Sequence, residues 1–261
     1  MRRTAVPTAA VLLSMAMAAC SQRDKEPAAV ELTAAERAGY LPAPEVTQVV
    51  RAPGGGLMVH GRSKPGGRIR ATTPSGEAYG ATAGADGRFA VELPAMDAAL
   101  LASVSVEERG RSTLAEGWLF VPPAEPSRAA LLRPGAAAWV FGSEPGLLAA
   151  VDYDADGGAG VSGKADPDAE VRVLVDGAPA GQVQADAQGR YSLRLNRVAP
   201  GEHTIRVIAG DETMERTLAL GVSAPAQTYF AVRQAGGWRV DWTTPGGGLQ
   251  STVIVAGTAA S

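Results

Sequence analysis

Two histidines, His60 and His203, are the only imidazoles in a chain of 261 residues. Imidazole is the commonest general base, so these two are the first place to look for acid–base chemistry. His60 stands beside Met58 on one strand face, and His203 follows Pro200, Gly201 and Glu202 at a turn. No HExxH pair, GxSxG elbow or phosphate-cradling glycine loop accompanies either one. No catalytic residue is therefore assigned, and the chain is read as a non-enzyme. One spacing invites a metal: Asp152, Asp154 and Asp156, then Gly157, have the opening pattern of a calcium loop. In such a loop alternate carboxylates converge on the ion and glycine makes the sharp turn. The twelfth position, which should bring a bidentate acid, is Gly163, so a solvated acidic turn competes with calcium. Trp238 and Trp242 share one strand face; exposed, they would stack on sugar rings, and packed, they would anchor a core.

The single cysteine, Cys20, ends an apolar run that follows Arg2 and Arg3. From Thr4 to Ala19 the run is too short to span a bilayer, and it carries Pro7. Met17, Ala18, Ala19 and Cys20 resemble the lipobox of bacterial lipoprotein signal peptides. That resemblance implies a removed signal over residues 1–19 and a lipidated Cys20, carrying palmitate-type chains, as the mature N-terminus. Each buried methylene contributes about 0.8 kcal/mol, so several chains give a lasting hold on the membrane. Ser21 stands where an aspartate would imply inner-membrane retention. The expected location is therefore the outer membrane, facing the periplasm or the cell surface. Apart from this covalent lipid and the calcium candidate, no cofactor is expected.

Charge narrows the partners. The chain holds 24 Lys+Arg against 27 Asp+Glu, a net charge of −3. Loss of Arg2 and Arg3 with the signal makes the balance more acidic, which argues against nucleic acid. With Cys20 acylated no cysteine remains for a disulfide or a thiol nucleophile, so stability must come from burial. The 32 glycines and 18 prolines follow no low-complexity period and fit many turns between short strands.

The chain also repeats itself. Gly61 and Pro65 recur as Gly163 and Pro167, and Gly87, Arg88 and Phe89 as Gly189, Arg190 and Tyr191, all 102 positions on. Each copy alternates apolar and polar residues. In the second, Val171, Val173 and Val175 share a face, as do Tyr191, Leu193 and Leu195, and then Ile205 and Val207. In the first, Ile69 and Ala71, then Phe89, Val91 and Leu93, then Val104 and Val106 match them. Asp176-Gly177 and Pro200-Gly201 mark turns, with Gly76 near the register of Gly177. Period-two alternation broken by frequent turns, with no stripe at 3.6 residues, predicts antiparallel sandwiches.

The phrase Gly163, Pro167, Val171, Val173, Asp186, Gly189, Tyr191, Pro200, Gly201, Ile205 resembles the bacterial Ig-like modules of envelope and surface proteins. The resemblance implies an all-β chain of two tandem Ig-like antiparallel β-sandwich domains with a C-terminal β-hairpin. The expected layout is a signal (1–19), a lipidated tether (20–44), domain one (45–121), a connector with a β-strand (122–146), domain two (147–223) and the hairpin (224–261). In the connector, Trp139 and Phe141 share a strand face. Arg133, Trp139 and Gly146 are echoed by Arg233, Trp238 and Gly246 in the tail. Trp238, Val240 and Trp242 should face one way, with a Gly246–Gly248 turn and a closing strand at Val253–Val255. Tyr229–Arg233, Trp238 and Gly248–Ile254 are similar in part to the peptidoglycan-binding LysM module, although Pro245 and the glycine trio depart from it. The family has no shared catalytic residues, so the implied role is a structural or protein-interaction scaffold on the envelope. The alternative is a peptidoglycan or polysaccharide binder; the envelope protein or glycan bound is not specified by the residues.

Overall fold

In the computed structural model, residues 39–142 and 146–256 are described. The signal segment, Cys20, most of the tether and the connector tip lie outside them. Seven strands make the first module: β1 (Glu45–Arg51), β2 (Leu57–Arg62), β3 (Arg68–Thr72), β4 (Ala78–Thr82), β5 (Arg88–Leu93), β6 (Leu100–Glu108) and β7 (Arg111–Val121). One turn of 3-10 helix, Pro126–Arg128, leads to β8 (Ala130–Leu132) and β9 (Trp139–Val140). The second module is β10 (Ala150–Asp154), β11 (Ala159–Lys164), β12 (Glu170–Val175), β13 (Ala178–Gln184), β14 (Arg190–Leu195), β15 (Gly201–Ala209) and β16 (Glu212–Leu220). The tail adds β17 (Tyr229–Gln234), β18 (Gly237–Thr243) and β19 (Leu249–Val255).

These strands form four antiparallel sheets. Sheet 1 is β1-β2-β5, sheet 2 is β4-β3-β6-β7-β8-β9, sheet 3 is β14-β11-β10-β19-β18-β17, and sheet 4 is β13-β12-β15-β16. Alternation decides which face each strand buries. Val49, Val59 and Val91 lie in one row across sheet 1, all buried. Val151, Val161 and Leu193 form the same row in sheet 3, each 102 positions on. Sheets 1 and 2 enclose one core, including Phe89, Val104, Val106 and Leu119. Sheets 3 and 4 enclose another, including Val161, Val173, Tyr191 and Ile205. Both repeats are thus Ig-like sandwiches with the same strand order.

The repeated glycines have a steric cause. Gly189 sits at φ +78°, and a Cβ there would lie 2.2 Å from the Ala165 carbonyl oxygen. Gly87 is its counterpart, at φ +76° and 2.5 Å from the Ser63 carbonyl. Asp176 and Gly177 both take positive φ, 51° and 80°, which closes the predicted β12–β13 hairpin.

The tail differs from the expected hairpin. It is a three-stranded meander, its β18–β19 turn spans Thr244–Gly248, and its last strand begins at Leu249. No helix occurs among its described residues, so the LysM-like portion does not take a LysM fold. β19 pairs with β10 over Ala150–Asp154, so the tail belongs to sheet 3. Sheet 3 then packs on the outer face of sheet 2 through a third core. Leu101, Phe120, Leu132, Trp238, Val240, Trp242 and Ile254 fill it. The Phe120 and Trp238 ring centroids are 6.3 Å apart and tilted by 59°, an edge-on aromatic contact. The connector and the tail are therefore opposing walls of a junction between the modules.

A buried carboxylate ties this junction. Asp152 on β10 accepts the Ala138 amide at 2.7 Å, the Thr252 hydroxyl at 2.5 Å and the Gln250 amide at 3.0 Å. Thr252 in turn accepts the Trp242 indole N–H at 3.1 Å. Gln250 also donates to Arg133 O and accepts from the Gly135 amide. Three segments of sequence, near residues 135, 152 and 251, meet at one side chain.

Two outcomes follow. Gly189→Ala will lower stability in urea unfolding by more than the roughly 1–2 kcal/mol of a left-handed backbone alone, whereas Gly177→Ala, whose Cβ would meet no atom within 4 Å, will cost only about that much. Burial first of all raises the Asp152 pKa from 3.8 to about 6, against the opposing effect of its donors. The folded state therefore takes up this proton more readily than the unfolded one. This group's contribution to stability grows as pH falls through that window and is lost as pH rises through it. Relative to Asp152→Asn, the wild type will gain on the order of 3 kcal/mol between pH 7 and pH 4. A pH-independent difference in denaturation midpoints would show that the carboxylate is not desolvated.

Candidate functional site

The sequence candidates do not converge on a reaction centre. His203 follows the strained Asp176-Gly177 turn in space: its Nδ1 lies 2.6 Å from Asp176 Oδ2 and its Nε2 2.9 Å from Ala199 O. The Asp176 contact raises the imidazole pKa above its ordinary value. Asp176 is lowered, first by the Thr204 amide and then by His203. Both ring nitrogens face oxygen acceptors, so the imidazolium fits and neither nitrogen is placed to accept a substrate proton. His60 is half-buried on β2, away from this pair.

The calcium expectation is corrected. Asp152 is buried, and its oxygens are engaged by N–H and O–H donors. Asp154 caps its own turn, accepting the Asp156 and Gly158 amides at 2.9 and 2.7 Å. Asp156 is exposed and stands apart. Among the described residues no three His, Cys, Asp or Glu side chains come close enough to hold an ion. The sugar-stacking expectation is corrected too. Trp242 is fully buried and Trp238 is 8% exposed, so both indole faces belong to the third core.

A groove of about 890 Å³ lies between the modules. One wall is the start of β1, residues Glu45, Val46 and Thr47, with Arg62 at the end of β2. Its floor carries Trp139 and Phe141, and its other wall carries Lys164 and Arg190. The Arg133 guanidinium lies 4.4 Å from the Trp139 ring centroid, and that of Arg190 5.6 Å. Burial lowers the Arg133 pKa, opposed by Glu116 and Asp152. Arg133 also donates to Ala137 O and Ser192 Oγ, which fixes its plane over the indole. The tail repeats this pairing, with Arg233 5.8 Å from the Trp238 centroid. The Arg–Trp echo in the sequence thus corresponds to two cation–π contacts, one in the groove and one at the junction.

Sequence reading did not find the groove, because it needs β9, β11 and β14 brought beside β1. A usable signal was present. Lys164 and Arg190 are directly opposite on paired strands, as are Arg62 and Arg88. Like charges in that position are destabilising.

Comparison with known proteins agrees with the fold. A family model described as "Bacterial Ig domain" matches residues 146–226. No curated protein matches. Among solved structures, the BSP domain of a biofilm-associated protein is 12% identical, with a TM-score of 0.24, covering 70% of this chain and 30% of that one. The central fibronectin-III array of RIM-binding protein is 13% identical, with a TM-score of 0.29, covering 82% and 89%. The D0–D1 domain of intimin is 12% identical, with a TM-score of 0.24, covering 69% and 98%. This chain spans less than a third of the biofilm-associated structure, and at these scores none of the three adds to the argument. The second module, over residues 146–226, is similar to bacterial Ig domains.

Proposed function

We propose that the protein is a non-enzymatic scaffold of the bacterial envelope, lipid-anchored through Cys20, whose two Ig-like modules are held in one fixed arrangement to present an interaction surface. The observation that carries this reading is the third core. A flexible pair of modules needs only a linker, whereas here Phe120, Leu132, Trp238, Trp242 and Ile254 are buried between them. That burial supports a rigid presenting device. The imidazole geometry at His203 and the engaged carboxylates at Asp152 and Asp154 support a role without catalysis. The lipobox at Met17–Cys20 and the net acidic chain support a membrane surface rather than nucleic acid as the anchor point. The polysaccharide alternative loses its stacking pair, because both tail tryptophans are packed.

Metabolic labelling with palmitate and membrane fractionation test the anchor. The wild type will take up label and sediment with membranes, and Cys20→Ala will do neither; an unlabelled wild type overturns it. Rigidity is tested by Trp242→Ala. Loss of this side chain will cost about 3–5 kcal/mol at the junction. It will broaden the interdomain distances in small-angle scattering while each module keeps its own core. An unchanged scattering profile with unchanged stability would remove the third core as the rigid element.

A further inference from the structure

We propose that the groove between β1 and β9 is a strand-accepting site for an extended acidic peptide segment of a partner protein. The inference rests on reading the chain as an interaction scaffold and assigns that scaffold its contact site.

Three observations converge. First, the repeat shows what this kind of edge does. In module two the outer edge of β10 is occupied by β19, from Ala149 through Asp154. In module one the far end of the corresponding edge is covered, where the connector turn packs and Arg51 donates to Ala124 O at 3.0 Å. Among the described residues no strand pairs with the outer edge of Glu45, Val46 and Thr47. Unpaired strand edges present ready-made N–H and C=O groups to an added strand. Second, the residues at that edge line the groove of about 890 Å³. Its floor is the half-exposed pair Trp139 and Phe141, which offers apolar contact to alternate side chains of a strand lying there.

Third, charge selects the occupant. Arg62, Lys164 and Arg190 line the groove, against the carboxylates Glu45 and Glu116. Glu116 is 3.9 Å from Arg133, and Arg190 is 3.1 Å from Asp186. Among the described residues Lys164 and Arg62 have no carboxylate within ion-pair distance. Lys164 directly opposes Arg190 across β11 and β14, and because Asp186 engages only Arg190 the pair keeps a net positive charge. Acidic side chains on an incoming strand complement that charge. Glu45 and the bulge between Val46 and Gln48 keep the same edge from pairing indiscriminately.

The test uses full-length protein in detergent and synthetic peptides that alternate valine or threonine with glutamate. Hydrogen exchange read by mass spectrometry will show slowed exchange over residues 43–48 and a changed Trp139 environment. Lys164→Glu, an exposed substitution, will weaken binding on the order of tenfold. A peptide with lysine in place of glutamate will not bind. The glutamate peptide with its backbone amides N-methylated will lose binding, because it cannot extend the ladder. No binding by the glutamate peptide, equal binding by the N-methylated form or by polyglucuronate, or protection confined to another edge would each overturn the proposal. None of these readouts depends on lipid at Cys20, so the site and the anchor fail separately.

Discussion

A carboxylate taken out of water must be given donors, a counter-charge or a proton. Asp152, on β10, is given donors by the two other segments that form the junction: the connector through Ala138, and β19 through Gln250 and Thr252. Removal of either would leave a buried charge short of a hydrogen bond, at a cost of about 1–3 kcal/mol or more for a charged group. The connector, the first strand of module two and the tail are therefore mutually dependent. Trp242 extends the same chain of hydrogen bonds, since its indole N–H reaches Thr252. Packing at the third core and polar satisfaction beside it thus specify one arrangement.

This dependence explains why sheets 2 and 3 are buried on both faces where they meet. In β6, Leu100 and Ala102 enter the first core while Leu101 between them enters the third. In β7, Leu119 and Val121 do the same on either side of Phe120. The far half of β7, by contrast, is largely solvated, with Arg111, Ser112, Leu114 and Glu116 exposed. The four sheets form a stack whose inner two have no solvated face at the junction. A shift of one strand by a single residue would exchange the contents of two cores at once, so register is strongly fixed.

The sandwiches were legible because each buries one face, and period-two alternation reports that directly. Ile69, Ala71, Phe89, Val91, Val171, Val173, Tyr191, Ile205 and Val207 all lie where alternation put them. The repeated glycines were legible as landmarks, and close backbone approach at Gly189 supplies the reason. The junction was not legible, because its signals point the wrong way. Runs such as Leu100–Ala102 and Trp118–Val121 lack alternation since both faces are covered. Gln250, Ser251 and Thr252 are polar and would be assigned to water, yet all are buried against one another's partners. The pairing of β19 with β10 joins residues about a hundred positions apart, and no local pattern encodes such a contact.

The two copies of the module diverge for the same physical reason. Positions 102 apart compare β1 with β10: Gln48 with Ala150, Val50 with Asp152, and Arg51 with Tyr153. In β10 these residues are buried: Ala150 and Asp152 where β19 and the connector cover them, and Tyr153 in the second core. In β1 Gln48 and Arg51 are exposed, because solvent, the connector turn and the groove lie there instead. Duplication supplied one sandwich twice; what differs is which edge was sealed. Sealing the β10 edge required a tail, a buried carboxylate and its donors, and it made the modules one body. Among the described residues no strand seals the near half of β1, so its backbone groups lie available beside an aromatic floor. On the proposed reading, rigidity on the sealed side of the repeat is what gives the open side a defined shape.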